Sequence, residues 1–177
     1  LGKKNTARPD PNPYKNAYFG DLHVHTENSF DAYTFGTTAT PDDAYKYAQG
    51  EAIPHPSGYQ IQLSRPLDFY AVTDHGVFLG VIKEAANTSS KISNYEVFKP
   101  IHKINENVSG SLFSIIRRSG LFRKLGQELG ENILDGTVDR GAIEEISRTV
   151  WQETIAAANR AYRPGIFTTF AAYEYTS

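Results

Sequence analysis

Three short apolar segments constrain this chain most: 17–24 (AYFGDLHV), 67–73 (LDFYAVT) and 165–174 (GIFTTFAAYE). Each has the β-branched, aromatic or alternating character of a strand, and the intervening stretches carry helical signals. The order strand, helix, strand, long helical stretch, strand predicts parallel strands joined by crossovers, hence an α/β fold. In the first segment, period-2 alternation sets Leu22 and Val24 on one face and Asp21, His23 and His25 on the other. The second is almost continuously apolar, as a buried parallel strand is.

The connections fit this order. Thr40-Pro41-Asp42-Asp43 combines a capping hydroxyl, a proline at the first helical position and first-turn acids, which predicts a short helix over 41–49. Residues 51–66 hold three prolines and a Ser-Gly turn and read as loop. No strand is expected over 76–164. Ile143, Ile146, Val150, Ile155, Ala158 and Tyr162 form an apolar stripe along a helix over 142–162, stopped by Arg163-Pro164-Gly165, with Trp151 expected in the core. A second helix over 111–129 carries Arg117, Arg118, Arg123 and Lys124, a face that is either solvated or turned towards an anionic substrate. The proline-rich stretch 1–16 is expected to be an extended arm, leaving 17–177 as the organised domain.

All three strands end in residues suited to binding metal: Asp21-Leu22-His23-Val24-His25, then Thr73-Asp74-His75, then Tyr173-Glu174-Tyr175. Residues two apart on a strand point the same way, about 6–7 Å apart, so His23 and His25 can reach one ion. An isolated His-x-His is a weak motif. Its weight rises because two further strands end in Asp-His and Glu, and the C-terminal ends of parallel strands are where α/β folds build sites. Asp31 lies in the following loop, as a ligand or as a turn former. Asp21 and Asp74 suit either an outer role, accepting a hydrogen bond from an imidazole and fixing its tautomer, or a purely structural turn or strand-edge role. His55 and His102 lack the strand-end position, and Tyr173 and Tyr175 are expected to pack on the opposite strand face.

Composition limits the chemistry. The 177 residues contain no cysteine, so a metal must be held by His, Asp and Glu. Eighteen basic and 20 acidic residues give a net charge of −2, with no overall field to collect nucleic acid or an anionic membrane. Neither is expected as a partner. The sequence opens at Leu1 and has no methionine, consistent with a trimmed or mature exported protein; a periplasmic or secreted location is preferred to a cytoplasmic one.

With His-x-His, Thr-Asp-His and a late Glu in this order, the sequence resembles the PHP superfamily of polymerase and histidinol phosphatase domains. It is most similar to a branch long labelled a domain of unknown function, through YFGDLHVHTENSFDAYTFG, PLDFYAVTDHGVFLG, WQETIAAANR and FTTFAAYEYTS. The resemblance implies a distorted (β/α)7 barrel, here with a long helical insertion between the second and third strands, and two or three divalent ions (Zn, Mn or Fe). His23 and His25 would bind the first ion, Glu174 would bridge the first and second, and Asp31 and His75 would belong to the third. Asp31 stands where a histidine is often found, implying a looser or harder third site. The family's remaining ligands lie further along, so the chain looks like the N-terminal portion of such a protein.

The implied activity is that of a metal-dependent phosphoesterase acting on a small phosphorylated or ester substrate, with Arg117 or Arg118 as a substrate contact. Two alternatives stay open. One is an amidohydrolase-like enzyme acting at a carbon centre. The other is a non-catalytic fragment that needs the rest of the barrel, or a second chain, to complete the site.

Overall fold

A computed structural model describes residues 12, 15–106 and 108–176. Most of the expected arm, 1–11, 13 and 14, lies outside the described residues.

The protein is mixed α/β. Its main sheet has three parallel strands in the order β1 (Gly20–Asp21), β4 (Phe69–Val72), β5 (Thr168–Ala171). The connection from β1 to β4 contains α1 (Phe30–Phe35), α2 (Pro41–Ala48) and a small antiparallel pair, β2 (Ile53–Pro54) with β3 (Gln60–Ile61). The connection from β4 to β5 contains α3 (Val81–Ala86), two 3-10 segments (Lys91–Asn94 and Glu96–Ile101), α4 (Leu112–Leu134) and α5 (Arg140–Ala161). Parallel strands require such crossovers.

Thr40 caps α2 as its sequence predicts. Its hydroxyl accepts the Asp43 N–H at 3.1 Å and the Asp43 carboxylate takes the Thr40 N–H at 3.2 Å, a reciprocal capping box. The inner face of α2 (Ala44, Tyr45, Ala48) meets Tyr70 and Val72 of β4, Ala157 and Ala158 of α5, and Phe167. One sheet face is thereby covered by two helices. A second core fills the long connection: Val81, Ile82 and Ala85 of α3, Phe98, Ile101, Leu125 and Leu129 of α4, and Ile143.

Three local expectations need correction. The first strand is far shorter than 17–24, because the Asp21 carboxylate captures the His23 N–H at 2.9 Å and turns the chain out of the ladder. Leu22 is consequently 55% exposed instead of packed. Gly20 has no freedom to change: a Cβ there would lie 2.3 Å from the Phe69 carbonyl oxygen. The stretch 51–66 is not wholly loop, since His55 N–H donates to the Tyr59 oxygen at 2.7 Å and closes the β2–β3 hairpin. Tyr173 and Tyr175 are 56% and 78% exposed; Tyr173 meets the half-buried Trp151 edge-on, so neither the tyrosines nor the tryptophan is core.

The helices match their expected positions. The apolar stripe lies on α5 except for Tyr162, which follows the helix end and is 49% exposed, and 112–129 lies within α4, which is capped by Ser111 and runs on to Leu134. The short helices α1 and α3 and both 3-10 segments carry too few turns for their periodicity to stand out.

Candidate metal centre

Parallel pairing brings the three strand ends together. Beyond β1, Thr73 takes over where the ladder stops: its N–H donates to the Val24 oxygen at 2.7 Å and its Oγ1 accepts the Val24 N–H at 2.8 Å. This splint fixes the backbone between His23 and His25. On the other side, Glu174 N–H donates to Asp74 O and Gly76 N–H donates to Glu174 O, both at 3.0 Å, so His75 and Glu174 pair as an isolated parallel bridge.

The side chains of His23, His25, Asp31, His75 and Glu174 converge in two overlapping groups able to hold a metal ion. One is His23, His25 and Glu174; the other is His25, Asp31 and His75; within each, the ligand atoms lie within 4.8 Å of one another. Glu174 Oε2 is 3.0 Å from His23 Nε2 and 2.7 Å from His25 Nε2. The other ring nitrogen of His25, Nδ1, lies 3.1 Å from Asp31 Oδ2. His25 is thus held between two carboxylates, with Nε2 towards the first group and Nδ1 towards the second. A neutral imidazole has one free lone pair, so His25 can ligate in one group while its other ring N–H donates to the carboxylate of the other, which fixes its tautomer.

Electrostatics favours a cation here. Burial alone would raise the Asp31 carboxyl, but the Ser29 hydroxyl, the Ala32 N–H and the nearby His25 and His75 outweigh it and hold Asp31 below its ordinary range. Glu174 likewise sits below its ordinary range: desolvation is overcome by the His25 hydrogen bond and by His75, His25 and His23. Among the described residues, neither carboxylate pairs with a lysine or arginine; their partners are imidazoles. Two ionised carboxylates facing three imidazoles, without a fixed positive side chain, form a donor set that suits a first-row divalent ion.

Residues outside the ligand set position it. Ser29 is fully buried; its hydroxyl donates to Asp31 Oδ1 at 2.5 Å and accepts the His75 N–H at 3.1 Å. The Thr176 hydroxyl lies 2.7 Å from His75 Nδ1, leaving Nε2 towards Asp31, 3.6 Å away. Neither contact has a periodic signature. A hydroxyl two residues before Asp31 was the one available hint of the first.

Of the two roles open to Asp21 and Asp74, the structural one is found, and neither holds an imidazole. Asp21 accepts the His23 backbone N–H. Asp74 is 2% exposed and accepts both the N–H and, at 2.7 Å, the hydroxyl of Thr26, locking the loop after His25. Burial raises the Asp74 carboxyl above its usual value despite the Thr26 bonds.

Arg117 and Arg118 part company. Arg117 is exposed, whereas Arg118 is 6% exposed and spends its guanidinium on Thr34 O (2.7 Å), Asn105 Oδ1 (2.9 Å) and Ile104 O (2.8 Å). It is a clamp between α4 and α1, not a free substrate contact. His55 stacks on Tyr59 and His102 faces the Ser93 oxygen, both away from the cluster. No helix among the described residues is long and apolar enough to cross a membrane.

No curated protein and no solved structure matches the chain significantly. Residues 12–177 match the family described as Protein of unknown function (DUF3604), and the chain belongs to that family.

Proposed function

We propose that the protein is a metal-dependent hydrolase, a phosphoesterase of the PHP type, whose metal centre is built from His23, His25, Asp31, His75 and Glu174. The observation that carries this reading is the meeting of two His/carboxylate groups, sharing His25, at the C-terminal ends of three parallel strands. Divalent Zn, Mn or Fe held there would supply Lewis acidity to a phosphoryl oxygen and acidify a water molecule near neutral pH.

The chain's own residues prepare the site for that chemistry. Glu174 and Asp31 stay ionised well below neutral pH, so protons compete weakly for the ligand positions. Ser29 and Thr176 orient Asp31 and His75, and Thr73 and Asp74 fix the backbone on either side of His25. In this reading the three strands are part of a distorted (β/α)7 barrel, and strands beyond β5, from the same chain or a second one, would supply further ligands.

The test compares turnover of an aryl phosphomonoester, a phosphodiester and a carboxylic ester or amide, with Mn or Zn added. Metal-dependent hydrolysis of a phosphate ester, lost in His25→Ala, supports the proposal. Turnover confined to the carbon substrates would replace it with the amidohydrolase-like reading.

A further inference from the structure

The helix α4 belongs to the long connection between β4 and β5, yet it reaches the metal centre through an unbroken aromatic path. Phe122 stacks on Phe30 with ring centroids 5.2 Å apart and planes within 11°. Phe30 in turn lies 5.1 Å from the His75 imidazole, and His75 is 4.8 Å from His25, edge to face. Phe30 also immediately precedes Asp31 in α1, so one residue links α4 to two candidate ligands of the same group.

The contact is clamped one helical turn away. Arg118 precedes Phe122 by four residues and therefore shares its helix face. Its guanidinium ties α4 to the Thr34 carbonyl of α1, while Asn105, which it also contacts, donates to the Tyr33 oxygen at 2.8 Å. Phe35 adds a third ring, 5.6 Å from Phe122. The first group joins this path only at its far end, through the shared His25, whose ring lies 5.1 Å from that of His23; its backbone is set by Thr73 and by the His75–Glu174 bridge.

We infer that Phe122 is a positioning residue for the His25–Asp31–His75 group, so that docking of α4 sets cation affinity there and leaves the His23–His25–Glu174 group largely untouched. The inference rests on the metal-centre reading above. It makes the long connection a structural wall of the site, not a detachable cap. Thermodynamic linkage makes the effect reciprocal: a cation in this group must hold α4 more firmly against α1.

The test is equilibrium dialysis of the whole chain against Mn or Zn with elemental analysis, run on wild type, Phe122→Ala and Phe122→Leu, alongside hydrogen exchange of α4. Wild type should take up two ions. Phe122→Ala should weaken the weaker site by tenfold or more and change the tighter one less than about threefold, the range expected when a group outside the ligand set is lost. Phe122→Leu should restore most of the loss, and adding metal to wild type should slow exchange along α4. Equal binding at both sites in Phe122→Ala, or no change in α4 exchange on metal addition, would overturn the inference. Uptake of one ion by wild type would overturn it while leaving a mononuclear centre intact, and uptake of none would remove the metal-centre reading as well. Should Phe122→Ala fail to fold, the exchange measurement on wild type decides alone.

Discussion

Nε2 of His25 lies 2.7 Å from Oε2 of Glu174, a residue 149 positions further along the chain. Nothing local brings them together. The contact depends on β4 pairing in parallel with β1 on one side and β5 on the other, so that His25 follows the end of one edge strand and Glu174 the end of the other. The fold and the site therefore stand or fall together, and the expected effects of substitution separate by which side of that relationship they touch.

Ser29→Ala removes the hydroxyl that joins Asp31 to the His75 backbone while leaving all five candidate ligands in place. Loss of such an outer partner costs about 10–100-fold in metal affinity. Competition with a chromogenic chelator should show that drop at the site containing Asp31, beside a loss of about 1–3 kcal/mol in stability for the His75 N–H left without its acceptor.

Arg118→Met leaves the Thr34 and Ile104 carbonyls without their donor in a buried place. Hydrogen bonds to charged groups contribute about 1.5–3 kcal/mol each, so a destabilisation of about 2–4 kcal/mol is expected in urea unfolding. Arg117→Met, at an exposed position one residue earlier, should stay within about 0.5 kcal/mol. Equal effects of the two would contradict the clamp.

Gly80 is held at φ +73° and donates its N–H to the Asn28 oxygen at 2.7 Å; a Cβ would lie 2.5 Å from Val150 Cγ2 of α5. Gly80→Ala combines left-handed backbone strain with overpacking and should cost about 2–4 kcal/mol. Denaturant melts would check this, with an unchanged midpoint as the contrary result.

The capping box of α2 predicts a pH dependence remote from the metal centre. Burial would raise the Asp43 carboxyl, but bonds from the Thr40 hydroxyl and N–H, together with Lys46, hold it below the ordinary 3.8. A carboxyl with a depressed folded-state value binds fewer protons folded than unfolded. Its contribution is therefore present above pH 3.8 and is lost as pH falls through the lower folded-state value. Thr40→Ala should cost about 1 kcal/mol near neutral pH and less in acid, where the wild-type bond is itself lost.

The candidate cluster was legible in the sequence because parallel strands align their C-terminal ends, even though His23 and His25 lie past the end of β1 and outside its ladder. His23, His25, His75 and Glu174 all follow strand ends, and Asp31 follows in the first turn of α1, not in a loop. The supporting residues were not legible, for a physical reason. Ser29, Thr176, Thr73 and Arg118 act through bonds between side chains and distant residues, and such bonds leave no spacing pattern. The aromatic path through Phe122 and Phe30 was hidden likewise, since its members lie on different helices. Apolarity also overstated the strands: it marks what is buried, while Asp21 decides where the β1 ladder ends.

His25 is common to both groups, whereas His23 belongs to one and His75 to the other. Metal stoichiometry across these three alanine variants is thus the most direct test of the central claim, measured by equilibrium dialysis against Mn or Zn with elemental analysis. The account predicts that His23→Ala and His75→Ala each weaken a different ion and that His25→Ala weakens both. Wild-type protein that takes up no ion, or His25→Ala protein that takes up as much as wild type, would contradict it.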